Sequence, residues 1–239
     1  MRTPGEIRKD TLELYLQMGG HLPSSLSVVE ILMAIYSLPM SKDDKFILSK
    51  GHGCQSWYVI LRDLGFDPPL KQHPDICPSQ GVECTTGSLG HGLPIGVGMA
   101  LGKKLKNENG IIYVVISDGE CQEGTTWESA LLAAHHNLNN LCVVVDRNFI
   151  QSLDWTHKVT DLGNLEEKFR AFGWFTDSVD GHNVGAIQEA VIRRSSDLPK
   201  MVAAYTVKGK GISFMERIPA YHARALTPEE IERARKELQ

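Results

Sequence analysis

The chain has 239 residues, 42% hydrophobic and 23% charged, with a formal net charge of −4. That length can bury the core of one large α/β domain, and the mild negative charge gives no electrostatic footprint for nucleic acid. The first stretch, MRTPGEIRKDTLELYLQMGG, is charged throughout and reads as neither a signal peptide nor a membrane span, so a cytoplasmic location is the expectation.

In chain order, Ile7 to Met18 show helical apolar spacing, and Ser27-Val28-Val29-Glu30 has the form of a capping box opening a second helix that ends near Tyr36. Phe46-Ile47-Leu48 is a short strand. Ile111 to Ile116 and Leu141 to Val145 are near-continuous apolar runs, the pattern of parallel strands buried on both faces. Trp127 to His136 lies between them with helical periodicity and enough length for a crossover, which makes 111–146 a βαβ unit. A helix near Leu165 to Phe172, a strand around Trp174 to Val179, a helix from Val184 to Arg194 and a strand from Lys200 to Val207 continue the alternation. Thr227, Pro228 and Glu230 cap and start a closing helix. This order predicts a single α/β domain: a doubly wound, mainly parallel sheet with helices on both faces. The five cysteines are scattered without a C-x-x-C pair, and the reading is free thiols rather than a disulfide framework or structural zinc.

Ligands of such folds bind at the carboxyl ends of the strands, where Ser117-Asp118-Gly119 and Asp146-Arg147-Asn148 fall. An aspartate carboxylate, an asparagine oxygen and a backbone carbonyl are hard donors, suited to magnesium holding a diphosphate. Asp-Gly and Arg-Asn also make ordinary turns, and residue types alone leave both readings open. The loop Thr85-Thr86-Gly87-Ser88-Leu89-Gly90-His91-Gly92 runs into a helix over Leu93 to Leu101, where backbone N–H groups can meet phosphate oxygens. Gly96, Gly98 and Gly102 lack the strand and spacing of a dinucleotide fingerprint and are expected to allow close helix packing.

The segments SKGHGC at 49–54, TTGSLGHGLPIGVGMALG at 85–102, SDGECQEGTTWE at 117–128, DRNFIQ at 146–151 and VKGKGISFME at 207–216 resemble transketolase, in order and over nearly the whole chain. The resemblance is to the diphosphate-binding domain alone, without the pyrimidine-binding and C-terminal domains. It implies the thiamine diphosphate-binding fold and the N-terminal subunit of a split transketolase.

Carried over by position, the resemblance makes Asp118, Asn148 and the carbonyl of Ile150 ligands of Mg2+, or of another divalent cation such as Ca2+ or Mn2+. Gly87 and Gly119 hold the phosphates of thiamine diphosphate, His52 hydrogen-bonds them, and Leu89 lies against the cofactor. His21, His73 and His222 match positions that contact substrate hydroxyls or the cofactor's reactive face. Neutral imidazole suits that work because it passes protons near neutral pH. Glu123 and Glu128 match two glutamates that link paired active sites; by themselves they read as helix-surface charge. His91, Ser117 and Arg147 depart from the family pattern without removing a ligand oxygen, and Leu22-Pro23-Ser24-Ser25-Leu26 departs from it near the donor-sugar pocket. His135 and His136 read as plain helix residues.

What the resemblance implies is transfer of a two-carbon ketol unit from a ketose, or ketose phosphate, to an aldose or aldose phosphate. A pyrimidine-domain partner subunit, in an α2β2 heterotetramer, would complete catalysis; nucleic acid and membrane are not expected partners. The corresponding subunit of a 2-oxo-acid dehydrogenase or of a deoxyxylulose-phosphate synthase is the alternative enzyme. A non-catalytic module that kept the cofactor fold is the alternative outside catalysis.

Overall fold

The computed structural model describes residues 2–239. Five strands, β1 (Lys45–Leu48), β2 (Ile112–Ser117), β3 (Leu141–Arg147), β4 (Phe175–Asp180) and β5 (Lys200–Tyr205), form one sheet in the order β1-β2-β3-β5-β4. Every pairing is parallel. Helix α1 (Pro4–Met18), α2 (Leu22–Ser27), α3 (Val29–Tyr36), α4 (Cys54–Asp63) and α5 (Gly92–Lys106) precede or flank the first crossover. Then come α6 (Gly124–His135), α7 (Thr156–Val159), α8 (Leu165–Ala171), α9 (Val184–Ile192) and α10 (Pro228–Glu237).

The central strands carry the period-two alternation of a sheet covered on both sides. Tyr113, Val115, Cys142 and Val144 face a core shared with α3, α4 and α9, whereas Val114, Ile116, Val143 and Val145 face α5, α6 and α8. A third cluster ties Leu12 and Tyr15 of α1 to Leu22, Leu26, Ile212 and Met215, with Ala234 and Leu238 at the far end of the chain.

The alternating fold and the βαβ unit stand as expected, with strand and helix ends shifted by one to several residues. Thr227 and Glu230 form the closing capping box, and Thr3 and Glu6 form another at α1. The capping box at Ser27 does not form. Val28 is the N-cap of α3, and the Ser27 hydroxyl donates instead to Ser24 O and Asp146 Oδ2. Glu30, its supposed partner, is buried and bound to Arg8 at 2.6 Å and His182 at 3.0 Å. A second correction concerns α5: a Cβ at Gly96 would lie 2.6 Å from Val114 Cγ2, so close packing explains that glycine, but Gly98 and Gly102 face open space.

Register brings the polar turns together. Ser117 stands opposite Asp146, and Arg147 opposite Tyr205, so the ends of β2, β3 and β5 open side by side at one edge of the sheet. The chain leaves β3 for the edge strand β4 and returns to β5 beside β3, the kind of connection change at which α/β sheets bind ligands.

Candidate active site

A cleft at those strand ends is lined by His21, His52, His73, Gly87, Leu89, Ser117, Gly119, Ile150, Lys208 and His222, with Gln151 and Ser152 at its side. Eight positions that the sequence singled out therefore share one cavity. Asp118 and Asn148 lie buried beneath it. Glu123 and Glu128 do not line it; both are exposed, Glu123 ahead of α6 and Glu128 within it. His91 is exposed at the N-cap of α5, and His135 and His136 close α6.

Asp118 directly follows β2, its carboxylate buried. Oδ1 accepts from Gly119 N at 2.8 Å and Oδ2 from Phe149 N at 2.6 Å, which stitches the two turns together. Asn148 accepts through Oδ1 from Ile150 N at 3.1 Å, and its amide donates to Asp146 Oδ2 at 3.2 Å. Burial first, and the neighbouring Asp146 second, push the Asp118 carboxyl up to about 6. A cation bound there would favour the ionised form.

Asp146 anchors the network. Burial by itself raises its pKa, but Lys50, Thr206 and Ser27 outweigh that and hold its carboxyl below the usual range. Lys50 Nζ and Thr206 Oγ1 both donate to it, and Lys50 Nζ also donates to Ser24 O at 3.0 Å.

Glu120 performs the corresponding task for the glycine loop. It accepts from the Ser49 hydroxyl, from Gly90 N at 2.8 Å and from Ser117 N at 3.3 Å, joining the ends of β1 and β2 to residues 85–92. Burial pushes this carboxyl up to about 7. The Gly90 N–H is thus committed to Glu120 rather than to a ligand. Gly87 has φ +127, and a Cβ there would lie 2.5 Å from His73 Cδ2, so a side chain would fill the cradle. On the other wall a Cβ at Gly119 would approach Gln151 Cβ at 3.2 Å.

The histidines form a cage. Ring centroids of His21 lie 5.5 Å from His52, 6.1 Å from His73 and 5.0 Å from His222. His21 follows Gly19 and Gly20, both at positive φ, where the Gly20 backbone passes so close to Gln55 that a Cβ would collide with its amide. The Nδ1 of His21 lies 3.1 Å from the carbonyl oxygen of His222, which only accepts; Nδ1 therefore carries the proton, and Nε2 of the neutral ring is an acceptor. Burial lowers the pKa of His21, lowers that of His52 well below its ordinary value, and takes His222 down to about 2, with Lys208 adding to the effect at all three. The buried Nδ1 of His222 and the Thr86 hydroxyl have no hydrogen-bond partner among the described residues.

Lys208, Lys50, Asp146 and Glu120 were not assigned from sequence. Lys208 is 2% exposed and donates to the carbonyl of Ile150 at 3.3 Å. Burial and the nearby Lys50 bring its ammonium down to about 7, against the pull of Asp146 and Asp118. Both lysines sit in Lys-Gly turns, a signal easily read as flexible surface charge.

A parallel sheet with a polar, histidine-lined cleft and a glycine turn at its strand ends defines an α/β domain of the class that binds its ligands there. The family model for the transketolase thiamine diphosphate-binding domain matches residues 19–239. The 6-deoxy-6-sulfo-D-fructose transketolase subunit SqwG of Clostridium sp. (strain MSTE9) is 39% identical, over 93% of this chain and 90% of the relative. An apulose-4-phosphate transketolase subunit of Actinobacillus succinogenes is 35% identical, over 92% of this chain and 88% of the relative. The solved transketolase from Leishmania mexicana superposes with a TM-score of 0.85 at 23% identity; it matches all of this chain, which spans 41% of that protein's length. The chain belongs to the transketolase family, as a thiamine diphosphate-binding domain.

Proposed function

We propose that this chain is the diphosphate-binding subunit of a two-component transketolase, transferring a two-carbon ketol unit from a ketose or ketose phosphate to an aldose or aldose phosphate. The observation that carries the reading is the convergence of Ile150, Gly87 and four histidines on one cleft, with Asp118 and Asn148 buried beside it and hydrogen-bonded to the Phe149–Ile150 backbone. The oxygen donors suit Mg2+, with Ca2+ or Mn2+ as substitutes, and the Gly87 cradle and the His222 Nδ1, which has no partner among the described residues, suit the cofactor that the metal would hold.

Thiamine diphosphate supplies the electron sink for breaking and making the carbon–carbon bond. This chain's residues bind and position in the cleft. Asp118, Asn148 and the Ile150 carbonyl hold the metal, Gly87, Gly119 and His52 receive the phosphates, and Leu89 packs against the cofactor. His21 takes or returns a proton at Nε2, with His73 and His222 beside it to bind sugar hydroxyls. Neutrality of His21, His52 and His222 keeps added positive charge out of a cleft that Lys208 lines and Lys50 lies buried near.

Two relatives are named as subunits, which supports a pyrimidine-domain partner, and we propose an α2β2 heterotetramer in the cytoplasm with Glu123 and Glu128 facing the partnered half. The substrates in their names carry a sulfonate or a phosphate, and we infer a sugar with an anionic group here too. The comparisons favour this reading over a 2-oxo-acid dehydrogenase, deoxyxylulose-phosphate synthase or non-catalytic module. Purified chain mixed with ketose donor, aldose acceptor, Mg2+ and thiamine diphosphate is expected to show no turnover until the partner subunit is added. Robust turnover by the chain alone would refute the two-component assignment.

A further inference from the structure

Lys208 stands out among the buried charges of the cleft. Lys50, its neighbour in function, is paired with Asp146 and Ser24. The Lys208 ammonium has three N–H groups, yet among the described residues its side chain makes one hydrogen bond, to the Ile150 carbonyl, and no ion pair within 4.0 Å. Its backbone is fixed on both sides. The Thr206 hydroxyl donates to Asp146, Val207 N donates to His182 Nε2 at 2.8 Å, and Gly209 N donates to Pro23 O at 3.0 Å. His182 is itself held through Nδ1 by Glu30, so the turn is braced from the core rather than from the surface. The ammonium is thereby delivered to the cleft wall and directed at one carbonyl oxygen.

That oxygen is also the third donor assigned to the metal. We propose that Lys208 couples metal binding to diphosphate binding: its ammonium and a divalent cation compete for the Ile150 carbonyl, and a diphosphate relieves the competition by taking both positive charges.

The geometry sets the strength of the conflict. A metal–oxygen bond of about 2.1 Å and the 3.3 Å ammonium contact share one atom, so the two cations lie at most about 5.4 Å apart while both hold it. Asp118 and Asp146 offset part of the repulsion, but Asp146 is already committed to Lys50. A diphosphate brings several anionic oxygens to the cleft that Lys208 lines, where an ammonium released from the carbonyl finds partners for its free N–H groups. Metal and diphosphate each then strengthen the binding of the other, which is a coupling free energy and must be reciprocal.

The inference rests on the metal and diphosphate site proposed above, and its test uses the purified full chain with Mn2+ followed by electron paramagnetic resonance and inorganic diphosphate followed by calorimetry. In the wild type, saturating diphosphate is expected to tighten Mn2+ about tenfold or more beyond what chelation in solution accounts for. Lys208→Met removes the competing charge while keeping an unbranched chain. It is expected to bind Mn2+ alone about tenfold tighter than wild type, to bind diphosphate alone about tenfold weaker, and to lose most of the synergy. Lys208→Arg should keep the synergy. If Lys208→Met does not fold, Lys208→Gln carries the same expectation. Wild type binding both probes, with purely additive affinities or with an unchanged Lys208→Met profile, overturns the coupling alone. Wild type binding neither probe overturns the site assignment and the coupling with it.

Discussion

The amide nitrogen of Asn148 donates to Asp146 Oδ2 at 3.2 Å while Oδ1 accepts from Ile150 N at 3.1 Å, and the two bonds together set which way the amide faces. With the nitrogen held by a carboxylate that only accepts, Oδ1 is left on the side of Ile150 N and of the Asp118 turn. A metal ligand must present oxygen, so Asp146 acts as the orienting partner of a ligand it does not replace. Asp146 can do so while buried because Lys50 supplies the opposite charge.

Asp146→Asn is therefore expected to be costly in two separable ways. It leaves Lys50 as a buried charge without its partner, a loss of about 3–5 kcal/mol read from the urea midpoint. It also weakens one of the two bonds that orient the Asn148 amide. The double variant Asp146→Leu with Lys50→Met removes both charges together and should recover most of the stability, yet Mn2+ affinity should stay reduced. Recovery of metal binding in the double variant would show that Asp146 acts only through charge.

How much of this could be read from the sequence follows the range of each interaction. The β2 and β3 runs and the turn after each are local patterns, and so were visible, as was the loop at Gly87. Ser27 misled because its hydroxyl is drawn to Asp146, 119 positions away, in place of its own helix end. Glu120 and Lys208 escaped assignment for the same reason: Glu120 matters through Ser49 and Gly90, and Lys208 through Ile150, contacts that exist only once the sheet has brought its strand ends together. Glu123 and Glu128 show the converse. Their proposed role came from resemblance, and the structure places them exposed and outside the cleft.

Asp118→Asn tests the metal turn directly. The amide nitrogen cannot accept from Phe149 N or Gly119 N as a carboxylate oxygen does, and the anionic donor is lost. Mn2+ affinity is expected to fall at least tenfold, about 1.4 kcal/mol, with a smaller change in thermal midpoint. A wild-type Mn2+ titration would remove Asp118 from the ligand set.

Gly87→Ala places a methyl where His73 stands and forces a side chain into a φ of +127. The strain should cost about 1–3 kcal/mol of stability, visible as a lowered thermal midpoint. Because the cradle itself is filled, thiamine diphosphate affinity in the presence of Mg2+ should drop by about tenfold or more, which corresponds to about 1.4 kcal/mol. Calorimetry on the assembled two-subunit complex separates this local loss from the general destabilisation.

The histidine cage makes a prediction about protons. Burial lowers the pKa of His21, His52 and His222, and the positive charge of Lys208 lowers each further, with His222 at about 2. A lowered pKa means that the folded protein refuses a proton that the unfolded chain accepts near pH 6.5. Between the folded value and about 6.5 the unfolded state therefore binds more protons, so this contribution to stability is present above about pH 6.5 and is lost progressively as the pH falls below it. In 15N-labelled protein, the His52 and His222 rings should keep neutral-imidazole shifts at pH 5.5, and His21 should titrate below its ordinary value, its neutral form protonated on Nδ1. Replacing His222 by Gln should flatten the fall of the urea midpoint between pH 6.5 and 5. Ordinary titration of all three rings near pH 6.5 would mean that the cleft is wet, and would remove the basis for a neutral, proton-accepting His21 Nε2.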